Sequence, residues 1–104
     1  MNLPKVIEEL IKAQNSYDSE IYAKLFSVNA VVIDEGKTYN GRAEIKDWIN
    51  NANEKYRTIM RPLAYEEKEK LLSCEISGNF TGSPITLNYH FKLKGDIIEN
   101  LEIK

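Results

Sequence analysis

The stretch AVVIDEGKTYNG, residues 30–41, runs from four apolar residues into two acids and then into a glycine turn. The mostly β-branched run 30–33 is typical of a buried strand. Asp34 therefore stands at a strand end, where its carboxylate is either solvated or held inside a cavity as a proton-transfer group. Because side chains alternate along a strand, Glu35 should point the other way, and we expect it to lie in solvent.

Three helices are predicted from apolar residues at three- and four-residue spacing. The first runs from about Pro4 to Gln14. The second begins after Asp18, which is placed to cap its free amides. The third begins after Asn40 or Gly41. The expected buried faces are, in chain order, Leu3, Ile7, Leu10, Ile11 and Gln14; Ile21, Tyr22, Leu25 and Phe26; and Ile45, Trp48, Ile49, Ala52 and Tyr56.

Helical periodicity ends near Thr58, and alternation of apolar and polar residues replaces it. Glycine turns divide the rest of the chain into four strands at about residues 58–69, 71–80, 84–94 and 97–103. The third of these strands has one apolar face and one polar face. The apolar face is Ile85, Leu87, Tyr89, Phe91 and Leu93, and the polar face is Thr86, Asn88, His90, Lys92 and Lys94.

The last strand carries one anomaly. Strict alternation would place Glu99 on the buried face with Ile97, Leu101 and Ile103. A β-bulge after the preceding glycine turn would move this acid to solvent, and we favour that arrangement. A second inward carboxylate is the alternative.

Two helices, a strand, a third helix and a meander of strands predict an α+β domain. In it, three helices pack on one face of a cone-shaped, curved antiparallel sheet. We expect a single domain over residues 1–104, because so short a chain cannot build two independent cores.

Composition and spacing exclude several classes of function. A net charge of -2 and a pI near 5.5 give no support for nucleic-acid binding. No cluster of histidine, cysteine and acid has metal-ligand spacing, so we expect no metal. The glycines are scattered singly, and no loop indicates a nucleotide or other cofactor.

The cellular compartment is predicted from what the chain lacks. Its single cysteine, Cys74, is typical of a small core residue in a reducing compartment. No apolar run is long enough to span a bilayer, and the N-terminus has no apolar core of a secretion signal. We therefore expect a cytoplasmic protein that does not associate with a membrane.

The order of elements resembles the nuclear-transport-factor-2-like superfamily. The segments that carry the resemblance are DSEIYAKLFSVNAVVIDEGKTYNGRAEIKDWI, residues 18–49, and LNYHFKLKGDIIENLEI, residues 87–103. The group includes ketosteroid isomerases, SnoaL-like polyketide cyclases and scytalone dehydratase. The resemblance covers nearly the whole chain, and it implies a fold rather than one particular chemistry.

The resemblance also implies roles for individual residues. Asp34 falls where ketosteroid isomerases carry the general base that removes a proton next to a carbonyl. Those enzymes add two hydrogen-bond donors for the enolate oxygen. The first donor position is Leu10 here, which cannot donate, and the second is Tyr89, whose phenol can. Asp34 and Tyr89 are thus the candidate catalytic residues, with a pocket-wall or core tyrosine as the alternative for Tyr89.

Around these groups we expect a mostly apolar pocket for a small apolar ligand, walled by Leu10, Gln14, Trp48, Leu87 and Phe91. Trp48 is either a core residue or part of the pocket rim. Gln14 either marks the end of the buried face or contacts the ligand.

The predicted function is cofactor-independent isomerisation, dehydration or cyclisation with Asp34 as general base. The alternative is a non-catalytic ligand-binding or interaction module of the same fold. The resemblance further implies a homodimer formed through the outer face of the sheet, where register places Thr86, Asn88 and His90.

Overall fold

The computed structural model describes all residues 1–104 and confirms the predicted α+β class, with three helices against a curved sheet. The elements are α1 (Lys5–Asn15), α2 (Ser19–Lys24), β1 (Phe26–Asp34), β2 (Lys37–Asn40), α3 (Gly41–Tyr56), β3 (Ile59–Glu66), β4 (Leu71–Ser77), β5 (Ile85–Lys94) and β6 (Ile97–Ile103).

The six strands form one sheet in the order β2-β1-β6-β5-β4-β3. All neighbouring pairs are antiparallel except β1 and β6, which run parallel. The expected antiparallel sheet is therefore correct for the meander and for the hairpin of β1 and β2, but the sheet as a whole is mixed. Alternation identifies a strand without showing which neighbour it joins or in which direction, so the sequence pattern could not reveal this pairing.

The second helix begins where the sequence predicts and ends earlier. Asp18 accepts a hydrogen bond from the Ile21 amide at 3.0 Å and caps the helix. The helix ends at Lys24, because Phe26 already belongs to β1 and lies opposite Ile98 of β6. The prediction that Ile21 is buried is wrong, since half of its surface is exposed.

A β-bulge in β6 determines the position of Glu99. The register of β6 against β5 jumps from Asn100 to Ile98 and leaves Glu99 without an opposite residue. The predicted bulge is thus present, and Glu99 is partly exposed. The bulge also shifts the buried face by one position, so that Ile98 is fully buried in place of Ile97.

The inner face of the sheet is sorted into rows, because paired residues on neighbouring strands share a face. Val32, Leu101 and Phe91 lie opposite one another on β1, β6 and β5, and all three are buried in the hydrophobic core. Leu10 of α1 is fully buried in the same core. Phe91 and Leu10 are therefore packed among other side chains and do not wall a pocket, contrary to prediction.

The outer face of β5 is polar. Thr86 and Asn88 are exposed, and His90 is partly exposed. The Ser73 hydroxyl donates to Asn88 Oδ1 at 2.9 Å across β4 and β5. The association of two chains through this face stays a prediction.

The close approach of β4 to the end of α3 requires glycine at position 78. A Cβ on Gly78 would lie 2.6 Å from the Tyr56 carbonyl oxygen and 3.1 Å from the Thr58 methyl group. The neighbouring Asn79 amide donates to the same carbonyl at 2.7 Å, which holds the two segments together. Neither backbone can move away without breaking this bond.

We expect Gly78→Ala to lower the free energy of unfolding by about 1–3 kcal/mol, the range for overpacked sites. Urea denaturation measures this change. Ser77→Ala, one residue away on β4, is the matched control and should change stability by less than about 0.5 kcal/mol. Equal stabilities of the two variants would contradict the close approach.

Candidate functional site

The two predicted catalytic residues lie in one row across the sheet. Asp34 at the end of β1 is opposite Ile103 of β6, and Ile103 is opposite Tyr89 of β5. Since neighbouring strands are about 4.8 Å apart, roughly 10 Å separates the backbones of Asp34 and Tyr89. This row lies next to the buried row of Val32, and its Ile103 and Tyr89 are themselves buried in the core.

A cavity of about 640 Å³ borders this end of the sheet. The helices rest mainly on β1, β2 and β3, and the inner face of the middle strands forms one wall of the cavity. Twelve of the twenty lining residues are hydrophobic. The sheet contributes Ile76, Ile85, Leu87, Tyr89 and Ile103, and the helices contribute Gln14, Tyr22, Trp48, Ile49, Ala52 and Tyr56.

Asp34 is partly buried at the cavity, and one carboxylate oxygen is held by a helix. The indole Nε1–H of Trp48 donates to Asp34 Oδ2 at 3.3 Å. Burial raises the pKa of Asp34, the negative charge of Glu35 raises it further, and the hydrogen bond from Trp48 lowers it. Glu35 itself is exposed at the rim, as predicted.

Aromatic contacts fix the position of Trp48. Its ring stacks on Tyr39 of β2 with centroids 5.5 Å apart, and it meets the ring of Tyr22 edge-on at 6.1 Å. The indole is partly buried and lines the cavity. Trp48 therefore orients the Asp34 carboxylate from one side of the cavity while its own ring is held on two sides.

Two buried phenols face the same cavity as the carboxylate. Tyr89 and Tyr22 are 6% and 2% exposed, and both line the cavity. Burial raises the pKa of each phenol, and the nearby Asp34 carboxylate raises it further. Both hydroxyl groups therefore keep their protons at neutral pH and serve as hydrogen-bond donors.

Tyr22 is the functional candidate that the sequence did not identify. Its helical spacing predicted a buried residue, which is correct. The pattern held no signal that this phenol would meet Asp34 and Tyr89, because the three residues come from α2, β1 and β5. Only their common place on the cavity wall distinguishes Tyr22 from an ordinary core tyrosine.

Gln14 is the last buried residue of α1 and lines the cavity. It is 3% exposed, and its Nε2 donates to Asn53 Oδ1 at 3.0 Å and to Thr58 Oγ1 at 2.7 Å. Gln14 is thus buried at the end of the α1 stripe and adjacent to the cavity, and its contact with a ligand stays a prediction. Asn53, the other buried polar residue of the protein, was not predicted to take part.

The structure therefore brings together Asp34, Gln14, Trp48, Leu87 and Tyr89 around one cavity. The predicted wall residues Leu10 and Phe91 are excluded from it because the core fills the space beside them. The cavity is lined instead by residues such as Ile103 of β6 and Ile49 and Ala52 of α3.

Other kinds of reactive group are scarce. Cys74 is fully buried, and burial raises the pKa of its thiol to about 12, so the thiolate needed for nucleophilic attack is not formed at neutral pH. No group of three or more histidine, cysteine or acidic side chains is placed to hold a metal ion. None of the helices has the length and apolar character of a transmembrane span.

Three solved structures of other proteins are similar to this chain. A candidate polyketide cyclase from Sinorhizobium meliloti shares 32% sequence identity at a TM-score of 0.90, over 98% of this chain and 95% of that protein. A protein of ketosteroid-isomerase-like fold from Catenulispora acidiphila, solved with trimethylamine, has a TM-score of 0.85 at 16% identity, over 99% and 86% of the two chains.

A nuclear-transport-factor-2-like protein of unknown function from Cytophaga hutchinsonii has a TM-score of 0.75 at 15% identity, over 95% and 85% of the two chains. The similarities to the Catenulispora and Cytophaga proteins, at 16% and 15% identity, show only that the fold is shared. No protein-family model matches the sequence, and no curated protein does. The likeness to the Sinorhizobium protein extends over nearly the full length of both chains, and the chain therefore belongs to the nuclear-transport-factor-2-like superfamily, which includes the SnoaL-like and ketosteroid-isomerase-like proteins.

Proposed function

We propose that the protein catalyses cofactor-independent proton transfer on a small carbonyl compound bound in this cavity. The observation that carries the proposal is the meeting of one partly buried carboxylate, Asp34, with two buried phenols, Tyr22 and Tyr89, around a single cavity. A base and two hydrogen-bond donors are the groups that enolate chemistry needs.

Asp34 acts as the general base. Its carboxylate takes a proton from the carbon next to the substrate carbonyl, and the electron pair of the broken C–H bond moves toward the carbonyl oxygen to form an enolate. Burial strengthens the base because it removes hydration from the charged form. The Trp48 hydrogen bond engages Oδ2 and leaves Oδ1 as the oxygen that receives the proton.

The phenols of Tyr22 and Tyr89 stabilise the enolate oxygen. Preorganised donors in a site shielded from water act on charge that develops only in the transition state, and this is usually the largest contribution to such catalysis. Tyr22 supplies the second donor that Leu10 cannot supply from α1. The site thus has two donors, although neither occupies the first-helix position expected from the resemblance.

Three reactions are compatible with this first step. The protonated Asp34 can return the proton at another carbon, which is isomerisation. In dehydration the enolate re-forms the carbonyl and expels a hydroxyl group from the β-carbon, which leaves as water with the proton from Asp34. In cyclisation the enolate carbon attacks a second carbonyl of the same molecule, and the alkoxide that forms takes the proton from Asp34. The similarity to a candidate polyketide cyclase supports the last of these most directly.

The base is tested by Asp34→Asn, which keeps the shape of the side chain and removes its basicity. Hydrogen–deuterium exchange at the carbon next to the carbonyl is followed by NMR for a panel of small bicyclic ketones. We expect exchange in the wild type and a loss of at least about 100-fold in the variant, the lower range for a general base. The wild-type rate should rise with pH while Asp34 ionises and then level off above its raised pKa.

Glu35→Gln is the matched control, because it removes the neighbouring exposed acid. It lowers the pKa of Asp34 slightly, since the Glu35 charge raises it, and otherwise should leave exchange intact. Wild-type protein that binds these ketones without exchanging their protons would contradict the proposal and would favour the non-catalytic ligand-binding module. An equal loss in the Glu35 and Asp34 variants would also contradict it.

The donors are tested by Tyr22→Phe and Tyr89→Phe, measured in the same exchange assay. Each change removes one hydroxyl group and keeps the ring, and we expect a rate loss of about 100-fold or more for each. Tyr65→Phe is the control, because the Tyr65 hydroxyl is also buried without a partner but lies outside the cavity. A phenol whose removal leaves the rate at the control level has no part in the chemistry.

A further inference from the structure

The cavity extends along a helix on one side and along a strand on the other. Trp48 and Tyr56 both line it and lie eight residues apart on α3, which corresponds to about 12 Å along the helix axis. On the sheet, Ile85, Leu87 and Tyr89 line it from alternate positions of β5, and this length of strand corresponds to about 13 Å. Two independent walls therefore give the cavity a similar length.

The two ends of this length differ in chemistry. One end holds the Asp34 carboxylate and the indole of Trp48 that donates to it. The other end is reached at Ile85, the first residue of β5. The loop between β4 and β5, residues 78–84, precedes Ile85 and contributes Phe80 to the cavity wall. Phe80 therefore lies at the end away from the proposed catalytic groups.

Several contacts hold the Phe80 ring in place. It meets the ring of Tyr56 edge-on, with centroids 6.2 Å apart and planes at 86°. The preceding amide, that of Asn79, donates to the Tyr56 carbonyl oxygen at 2.7 Å, so ring and backbone are attached to the same residue of α3. The loop is also closed on itself, since the Gly78 amide donates to Ser83 Oγ at 3.0 Å and the Ser83 amide donates to the Phe80 carbonyl oxygen at 3.3 Å.

We propose that Phe80 is a specificity-determining residue whose ring forms the end wall of the cavity and limits the length of the molecule that binds there. The orientation of that molecule, with its carbonyl at Tyr22 and Tyr89, rests on the proposed function. The length limit rests on Phe80 and its attachment to Tyr56. A ligand that stops short of the ring buries more apolar surface with each added methylene, whereas a longer one has to displace a ring that is held by α3.

The limit is tested with a series of bicyclic ketones that differ only in length. The probes are 1-tetralone and its 6-methyl, 6-propyl, 6-pentyl and 6-heptyl derivatives, in which the alkyl chain points away from the carbonyl. Dissociation constants are measured by NMR titration. In wild-type protein we expect the affinity to rise by about 4-fold for each methylene up to a limiting length, and to fall by about 5-fold or more at the next member of the series.

Two variants of the same loop separate the ring from its backbone. Phe80→Ala removes the end wall, and it should bind the first probe beyond the wild-type limit about 10-fold more tightly than the wild type does. Asn79→Ala is the matched control, because this exposed side chain does not line the cavity and the backbone amide that donates to Tyr56 is kept. It should keep the wild-type limit.

The contact itself is measured in wild-type protein, so the test does not depend on the stability of Phe80→Ala. We expect intermolecular nuclear Overhauser effects between the terminal methyl group of the longest tightly bound probe and the ring protons of Phe80. Their presence places the chain end at this wall.

Three results would overturn this role of Phe80. They are an affinity that rises through the whole series in the wild type, a limit that stays the same in Phe80→Ala, and terminal-methyl contacts that involve other residues but not Phe80. Asp34→Asn should keep the length limit while losing proton exchange. A limit in binding without proton exchange in the wild type would contradict the proposed function alone, so the two failures give different results.

Discussion

The parallel pairing of β1 with β6 determines where each group of the site lies. It places Asp34 opposite Ile103, and the antiparallel pairing of β6 with β5 then places Tyr89 in the same row. One row earlier, Val32, Leu101 and Phe91 are packed into the core. A shift of β1 by one residue would turn Asp34 to the outer face, because side chains alternate along a strand. The core therefore fixes the register that delivers the carboxylate to the cavity.

The proposed role of Asp34 as a base depends on two opposing effects on its pKa. Burial and the charge of Glu35 raise the pKa of Asp34, and the indole of Trp48 lowers it. A base that is too strongly stabilised in its charged form is weak, and a base that is too strongly desolvated is protonated at working pH. Trp48 also limits the motion of the carboxylate, since its ring is held between Tyr39 and Tyr22. The hydrogen bond from Trp48 thus favours the ionised form of Asp34 against the effect of burial, and it also orients the carboxylate.

Much of the fold and part of the site could be predicted from local patterns. Alternation placed Tyr89 and Leu87 on the inner face, and the acid that follows a buried strand identified Asp34. The same alternation could not separate Tyr89 from Phe91, because the two share a face and differ only in the row they occupy. Those rows are defined by the pairing of Tyr89 with Ile103 and of Phe91 with Leu101, and alternation does not show where along these strands the helices leave a cavity. The role of Tyr22 was out of reach for a similar reason, since it depends on how α2 lies against two strands that are distant in sequence.

The proposed proton transfer depends most on a partly desolvated Asp34 at the cavity, and the pKa of that carboxyl group measures this desolvation directly. It is measured by ¹³C NMR of the side-chain carboxyl carbon in the folded chain and again in the urea-unfolded chain. We expect a higher pKa in the folded chain than the ordinary value of about 3.9, and a still higher one in Trp48→Phe, which loses the hydrogen bond that favours the charged form. A folded-state pKa at or below the unfolded value would show a solvated carboxylate and would contradict the placement of Asp34 in a desolvated cavity.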